Sequence, residues 1–285
     1  MKIGLFPGQG LPAATVLDAL PAGDPHVRAA SDELSFDLRA RVAEVASSDG
    51  AVLPTSLAQP AIFVASMVAW RRACDDGKTF DVLAGHSLGE YSALAAADVL
   101  SFEDGVRAVA ARGDAMHAAG AAAPGGMAAV IGLGLGAVDE VARGSGALVA
   151  NDNAPGQVVL SGTHDELERA ETLARAAGGR VRRLETAASF HHPAMAPAQE
   201  PLERVLAGVA VRDARVPVVS NVTARPYGSG DDVRALLVRQ ITSPVRFRES
   251  LAWAWGRGVR SFDDLGPGRV VGGLAQRTFR ALEAG

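Results

Sequence analysis

The sequence predicts an α/β protein. One large unit carries a mostly parallel sheet, and a smaller ferredoxin-like unit is inserted into it. Three observations carry this prediction. Short apolar runs alternate with helical patterns along most of the 285 residues, as in a parallel sheet covered on both faces. From Gly125 to Ser189 the order becomes β-α-β-β-α-β, the ferredoxin-like succession. At Asp81–Ser92 an apolar run meets an alanine-rich helical pattern through Gly85-His86-Ser87-Leu88-Gly89. A Gly-x-Ser-x-Gly junction between strand and helix is the nucleophile-elbow pattern. The expected division is a large unit of residues 1–124 and 190–285, with 125–189 as the small unit.

The elements follow in order. Lys2–Phe6 is a short buried strand. Pro7-Gly8-Gln9-Gly10 after it is a plain turn or a ligand loop at the carboxyl edge of the sheet; it lacks the Gly-Lys-Ser/Thr ending of a phosphate loop. Leu11–Ser48 reads as helical with breaks at Pro21 and Pro25, and Leu34, Leu38, Val42 and Val45 recur at helical spacing. Ser56–Pro60 opens the helix Ala61–Ala73, with Pro60 in its first turn. Gln59 is either a solvated helix start or a residue reaching the site. Phe80–Ala84 and Leu88–Ala97 flank the elbow. The glycines allow a sharp turn and close passage of two elements. Ser87 then stands where free N–H groups and the helix dipole favour negative charge, which suits an oxyanion in acyl transfer.

Ser101 caps the next helix, with Glu103 and Asp104 in its first turn. Val106, Val109, Ala110, Gly113 and Met116 form its core stripe. Arg107 points away from that stripe and Arg112 borders it. On periodicity alone a snorkelling surface arginine is the plainer reading of Arg112; an anion-binding one is the other. The inserted unit is expected as strand Met127–Leu133, helix Ala137–Ala142, strands Ala147–Asn151 and Gln157–Gly162 around a turn at Asp152–Gly156, helix His164–Ala177 and strand Arg180–Glu185. His191 and His192 lie at its exit. A histidine there is structural or the proton-transfer partner of a serine. Beyond it come strand Val216–Ser220, helices Asp231–Gln240 and Glu249–Trp255, strand Ser261–Leu265 and a helix from Val270.

Composition narrows the function. The net charge is −4, so nothing points to nucleic acid as partner. From Arg204 onward 13 arginines face 7 acids; this is a solvated surface or a patch for an acidic partner. The single cysteine, Cys74, leaves no internal disulfide or cysteine metal cluster, and no metal is expected. No signal peptide or membrane-spanning run is read, so a cytoplasmic protein without membrane contact is expected.

Several motifs now appear in order: Phe6–Gly10, Gln59-Pro60-Ala61, Gly85–Tyr91, Arg112-Gly113, Asn153–Val158, Phe190-His191, Ser220–Thr223, Gln240 to Phe247 and Gly266-Pro267-Gly268. Together they make the chain resemble, over nearly its whole length, the malonyl-CoA:acyl-carrier-protein transacylases, including free-standing acyltransferases of polyketide synthesis. The resemblance implies an α/β-hydrolase-like large domain, a malonyl-CoA or related acyl-CoA donor, an acyl carrier protein acceptor, no cofactor and a monomer. It implies Ser87 as nucleophile and His191 as base, with His191 held by the carbonyl of Gln240. The N–H groups of Gln9 and Leu88 would form the oxyanion hole. Arg112 would grip the free carboxylate of a malonyl-type group. Gln59, His86 and Phe190 would line the acyl site, Phe190 leaving little room for a branched chain.

The chain departs from the family pattern at Leu11-Pro12-Ala13-Ala14, at His192, and at Ala188-Ser189. An unusual acyl group passed between carrier proteins therefore stays open. So does a thioester hydrolase using the same serine and histidine, although no clear acid motif lies between them to complete a triad. A non-catalytic carrier-protein binding module is the third reading.

Overall fold

A computed structural model describes residues 1–186, 188–228 and 231–284. Ala187, inside the predicted insertion, lies outside the described residues. The chain opens with β1 (Lys2–Phe6), α1 (Ala13–Asp18), α2 (Pro25–Leu34), α3 (Leu38–Ala46), α4 (Thr55–Asp75), β2 (Val82–Gly85), α5 (Gly89–Ala96) and α6 (Phe102–Ala122). It continues through β3 (Gly126–Ile131), α7 (Leu135–Ser145), β4 (Leu148–Ala154), β5 (Gln157–Gly162), α8 (His164–Ala176) and β6 (Arg180–Arg183). A 3-10 turn at Pro193–Ala198 leads into α9 (Gln199–Ala207), β7 (Val218–Val219), α10 (Val233–Gln240), α11 (Phe247–Gly256), β8 (Ser261–Asp264) and α12 (Val270–Ala284). No helix of the described residues is long and apolar enough to cross a membrane.

Two four-stranded sheets result. The first runs β7-β2-β1-β8 and is parallel at every pairing. Its two central strands are nearly continuous apolar runs because helices cover both faces; Ile3, Leu5, Leu83 and Ala84 are fully buried. The second runs β4-β5-β3-β6 and is antiparallel. With α7 and α8 between its strands, this is the ferredoxin-like arrangement. An antiparallel bridge between Pro124 and Ala188 ties the ends of the excursion together.

Several expected bounds move, and one helix is added. α4 begins at Thr55, so Pro60 sits inside the helix rather than in its first turn. β7 is only two residues long. Pro217 has no N–H to donate, although its carbonyl accepts from Leu83. Residues 225–227 fold back over this edge, with Ser220 donating to Arg225 and Tyr227 to Val218, which blunts an open strand. Asp152 and Asn153, expected in a turn, extend β4, leaving Pro155-Gly156 as the tight turn, with Gly156 at φ 71°. Lastly, α9 is a helix that the sequence reading passed over.

The elbow explains its glycines. A Cβ on Gly85 would lie 1.8 Å from the carbonyl carbon of Gly89, and one on Gly89 would lie 2.2 Å from the oxygen of Phe6. The turn therefore closes only with both glycines, and Ser87 between them takes φ 51°. A non-glycine residue in that region costs on the order of 1 kcal/mol, a strain held by the packing around it.

The second sheet is fixed to the segment leading into α11, to α11 itself and to α12. Asp152 N–H donates to Val245 O at 2.9 Å and Val245 N–H to Ala150 O at 2.8 Å. Arg248 meets the buried Asp152 carboxylate in a two-pronged pair at 2.8–3.0 Å. Arg277 donates to Gln157 at 2.7 Å.

Candidate active site

β1 and β2 end side by side, and the loops after them meet at the carboxyl edge of the first sheet, where open α/β folds bind ligands. Ser87 follows β2 and Gln9 follows β1. The excursion through the second sheet returns the chain to this edge at His191, whose φ of 56° is also left-handed. Ser87 Oγ lies 2.8 Å from His191 Nε2. His191 Nδ1 lies 3.0 Å from the carbonyl oxygen of Gln240. A carbonyl only accepts, so Nδ1 carries the proton and Nε2 is left to accept from the serine hydroxyl. His191 is 4% exposed. Burial, then the neighbouring Arg112 cation, hold its pKa down at about 3, so the imidazole is neutral at pH 7 and able to take a proton.

Arg112 overturns the surface reading that periodicity favours. It is 1% exposed, on the flank of α6 that faces α4 and the elbow. Nη1 donates to Gln59 Oε1 at 2.7 Å. Nη2 donates to Gln240 Oε1 at 2.9 Å and to Ser87 Oγ at 3.1 Å. The guanidinium stands 5.6 Å from the Tyr91 ring centre, and its Nε has no hydrogen-bond partner among the described residues. No carboxylate pairs with it among the described residues. Burial pulls its pKa below the usual arginine value, but the group remains a cation. Arg107 instead points outward to Glu33 and Asp104, as the stripe predicts.

Gln59, fully buried, is a site residue rather than a solvated helix start. It continues a chain of polar contacts, donating to Thr55 Oγ1 at 3.3 Å, while Thr55 donates to Gln9 Oε1 at 2.6 Å. The N–H groups of Gln9 and Leu88 make no hydrogen bond among the described residues, leaving two donors at the edge that holds Ser87. His86 points sideways, its Nε2 2.7 Å from Asn153 Oδ1 on β4 and its ring edge-on to Phe247. Burial lowers its pKa, so it too is neutral. Phe190 is buried in the main core beside His191. His192 accepts from Ala194 N–H at 3.1 Å and caps the 3-10 turn. A cavity of about 490 Å³ opens against His191, lined among others by Pro193, Thr242, Pro244, Ala142 and Val149. Among the described residues no group of three His, Cys, Asp or Glu side chains could hold a metal ion.

Three residues of the site were missed as functional. Asn221 splints the elbow: Oδ1 accepts from Ser87 N–H at 2.7 Å and Nδ2 donates to Gly85 O at 2.7 Å. Glu90, 1% exposed, accepts from Asn221 N–H at 3.1 Å, from Tyr227 OH at 2.6 Å and from Gln240 Nε2. Asn153 anchors His86. The one signal for Glu90 is that it is the single charged residue in the run Leu88–Ala97, where a carboxylate must be paired if buried.

A serine on an elbow, joined to a neutral imidazole and flanked by free N–H donors, is equipped for nucleophilic acyl chemistry. Known proteins bear out that class. Residues 5–283 match the acyl transferase domain family, and the chain belongs to it. It is 38% identical to the malonyl CoA-acyl carrier protein transacylase of Bacillus subtilis strain 168 over 98% of this chain and 90% of that protein. The crystal structure of the malonyl CoA-acyl carrier protein transacylase from Clostridium perfringens superposes with a TM-score of 0.88 at 31% identity, covering 98% of this chain and 90% of that one. A malonyl-transacylase solved in complex with its type II polyketide synthase acyl-carrier protein gives 0.86 at 36% identity, covering 98% and 93%.

Proposed function

We propose that this chain moves a malonyl-type acyl group from coenzyme A to the phosphopantetheine thiol of an acyl carrier protein, through an ester on Ser87. The observation that carries the reading is the buried Arg112 guanidinium 3.1 Å from Ser87 Oγ with no carboxylate partner among the described residues. A cation so placed asks for an anion on the acyl group, and its planar fork suits a carboxylate. The relatives named malonyl transacylases support the same substrate.

The steps follow from the atoms. Ser87 Oγ attacks the thioester carbonyl carbon and passes its proton to His191 Nε2. The carbonyl oxygen becomes an oxyanion facing the N–H groups of Gln9 and Leu88. The C–S bond breaks, and His191 returns the proton to the departing thiol. The carrier protein's thiol then attacks acyl-Ser87, gives its proton to His191, and Ser87 leaves with that proton restored. The carbonyl of Gln240 keeps the imidazole in the required tautomer. The cavity against His191 is the approach for a thioester arm, with Gln59, His86 and Phe190 bounding the acyl end. Among the described residues no carboxylate contacts His191 in the way a triad acid would, which supports a dyad.

Residues 1–124 and 190–285 act as the catalytic body and 125–189 as a lobe over its edge. One chain supplies every group named, which suits a monomer as the active unit. The arginine-rich stretch from Arg204 onward gives an acidic carrier protein a complementary surface. The single-cysteine composition suits a cytosolic setting.

The test compares wild type and Arg112→Ala for acyl transfer to a carrier protein from malonyl-CoA and from acetyl-CoA. Malonyl transfer is expected to fall at least about 100-fold, the scale of a charge-assisted contact, with acetyl transfer retained. Unchanged preference would mean the acid is not bound at Arg112. Free malonate released without an acceptor would favour a hydrolase.

A further inference from the structure

Arg112 raises a question of charge. A guanidinium with 1% exposure and no carboxylate in contact among the described residues is costly. The nearest compensation is one amide away. Gln240 Oε1 accepts from Arg112, and Gln240 Nε2 donates to Glu90 Oε2 and, at 3.1 Å, to Ser87 O. Glu90 belongs to the first turn of α5, three residues after Ser87, which stands in the left-handed elbow just before the helix. The helix N-terminus favours a carboxylate at that place.

The polarity of this relay is dictated by donors and acceptors. Glu90 receives the Tyr227 hydroxyl, the Asn221 N–H and the Gln240 amide. Burial raises the Glu90 pKa, but the carbonyl of Ser87 only accepts and Arg112 only donates, so Gln240 must turn its nitrogen toward Ser87 O and Glu90. Its oxygen is thereby left facing Arg112, which only donates. Turned over, the amide would set oxygen against oxygen at one end and nitrogen against nitrogen at the other. A carboxylate touching Arg112 directly would occupy the fork that a substrate acid needs. With Glu90 one amide removed, the guanidinium has only neutral partners, Gln59, Gln240 and Ser87, among the described residues, and a substrate acid can displace the 3.1 Å contact to Ser87 Oγ.

We propose that Glu90 is a positioning residue for acid-bearing acyl groups: through the side chain of Gln240 it holds the Arg112 guanidinium ready for a substrate carboxylate beside Ser87. This rests on the malonyl reading above. It assigns Glu90 and the Gln240 side chain a part in selectivity, apart from the backbone carbonyl of Gln240 that orients His191.

The test is Glu90→Gln, which keeps the volume and an oxygen for Tyr227 and Asn221 but sets an NH2 against the NH2 of Gln240. The Gln240 amide is expected to turn over and present its nitrogen to Arg112. Acyl-enzyme formation is measured with malonyl-CoA and acetyl-CoA, alongside thermal melting. The expected result is a malonyl kcat/KM lowered at least about tenfold, mostly through KM, with acetyl changed less than about threefold. Equal losses on both substrates, or no loss, would overturn the proposal. If Glu90→Gln does not fold, Gln240→Met decides: it removes the relay and keeps the backbone carbonyl for His191. A lowered malonyl-to-acetyl ratio in that variant supports the proposal, and a wild-type ratio refutes it. Failure of the malonyl reading is separately visible, because the wild type would then not load malonyl at all.

Discussion

His191 is the residue whose chemistry depends most on its surroundings. Its folded pKa of about 3 lies below the ordinary 6.5, so the base form persists through the range where a free histidine titrates. The rate of acyl-enzyme formation under kcat/KM conditions is expected to stay level as the pH falls through 6.5. An acid limb centred near 6.5 would show an ordinary, solvated imidazole. The same shift bears on stability. The unfolded chain binds the proton more readily, so the contribution of His191 is fully present above 6.5. It is lost as the pH drops toward 3, by about 1 kcal/mol per pH unit within that window. At this scale Ser87, His191 and Arg112 were legible as short motifs. The burial of Arg112 was not, because a hydrophobic stripe reports only where apolar side chains go. Glu90 and Asn221 act through contacts 131 positions apart, which no local pattern encodes.

Elements supply the geometry that the residues need. The elbow is a strand end, a left-handed serine and a helix start passing under Phe6 O. Gly89→Ala would drive a Cβ to 2.2 Å from that oxygen and force β1 and α5 apart. A loss of about 3 kcal/mol or more is expected, within the range of overpacking against backbone. Chemical denaturation measures it, and a loss under about 1 kcal/mol would mean the contact relaxes freely. Caps were readable in advance: Ser101 Oγ accepts from Asp104 N–H at 3.0 Å, as its position before two acids suggests. Pro60 misled, since proline marks a first turn only by preference. Asp152 and Asn153 misled for another reason. Both are turn formers by composition, yet tertiary partners, Arg248 and His86, hold them extended.

The whole molecule is held in register by that same β4 segment. Asp152 is 4% exposed, and its carboxylate is satisfied by Arg248 of α11, which packs on β4. Arg248→Ala would strand a buried charge, at a cost of about 2–3 kcal/mol given the partial exposure of the arginine. It would also loosen the neighbouring Asn153–His86 contact beside Ser87. Lower thermal stability together with slower acyl loading is expected; stability lost without any change in loading would uncouple the clamp from the site. The alternation of strands and helices made both sheets foreseeable. Their mutual placement was not, because it rests on a few polar pairs between distant segments.

The central claim is that Ser87 carries the acyl group and His191 moves its proton. Trapping the enzyme with malonyl-CoA and mapping the adduct by mass spectrometry tests it most directly. The account predicts one malonyl group on the peptide containing Ser87, absent in Ser87→Ala and formed far more slowly in His191→Ala. A malonyl adduct persisting at the wild-type rate in Ser87→Ala would contradict it.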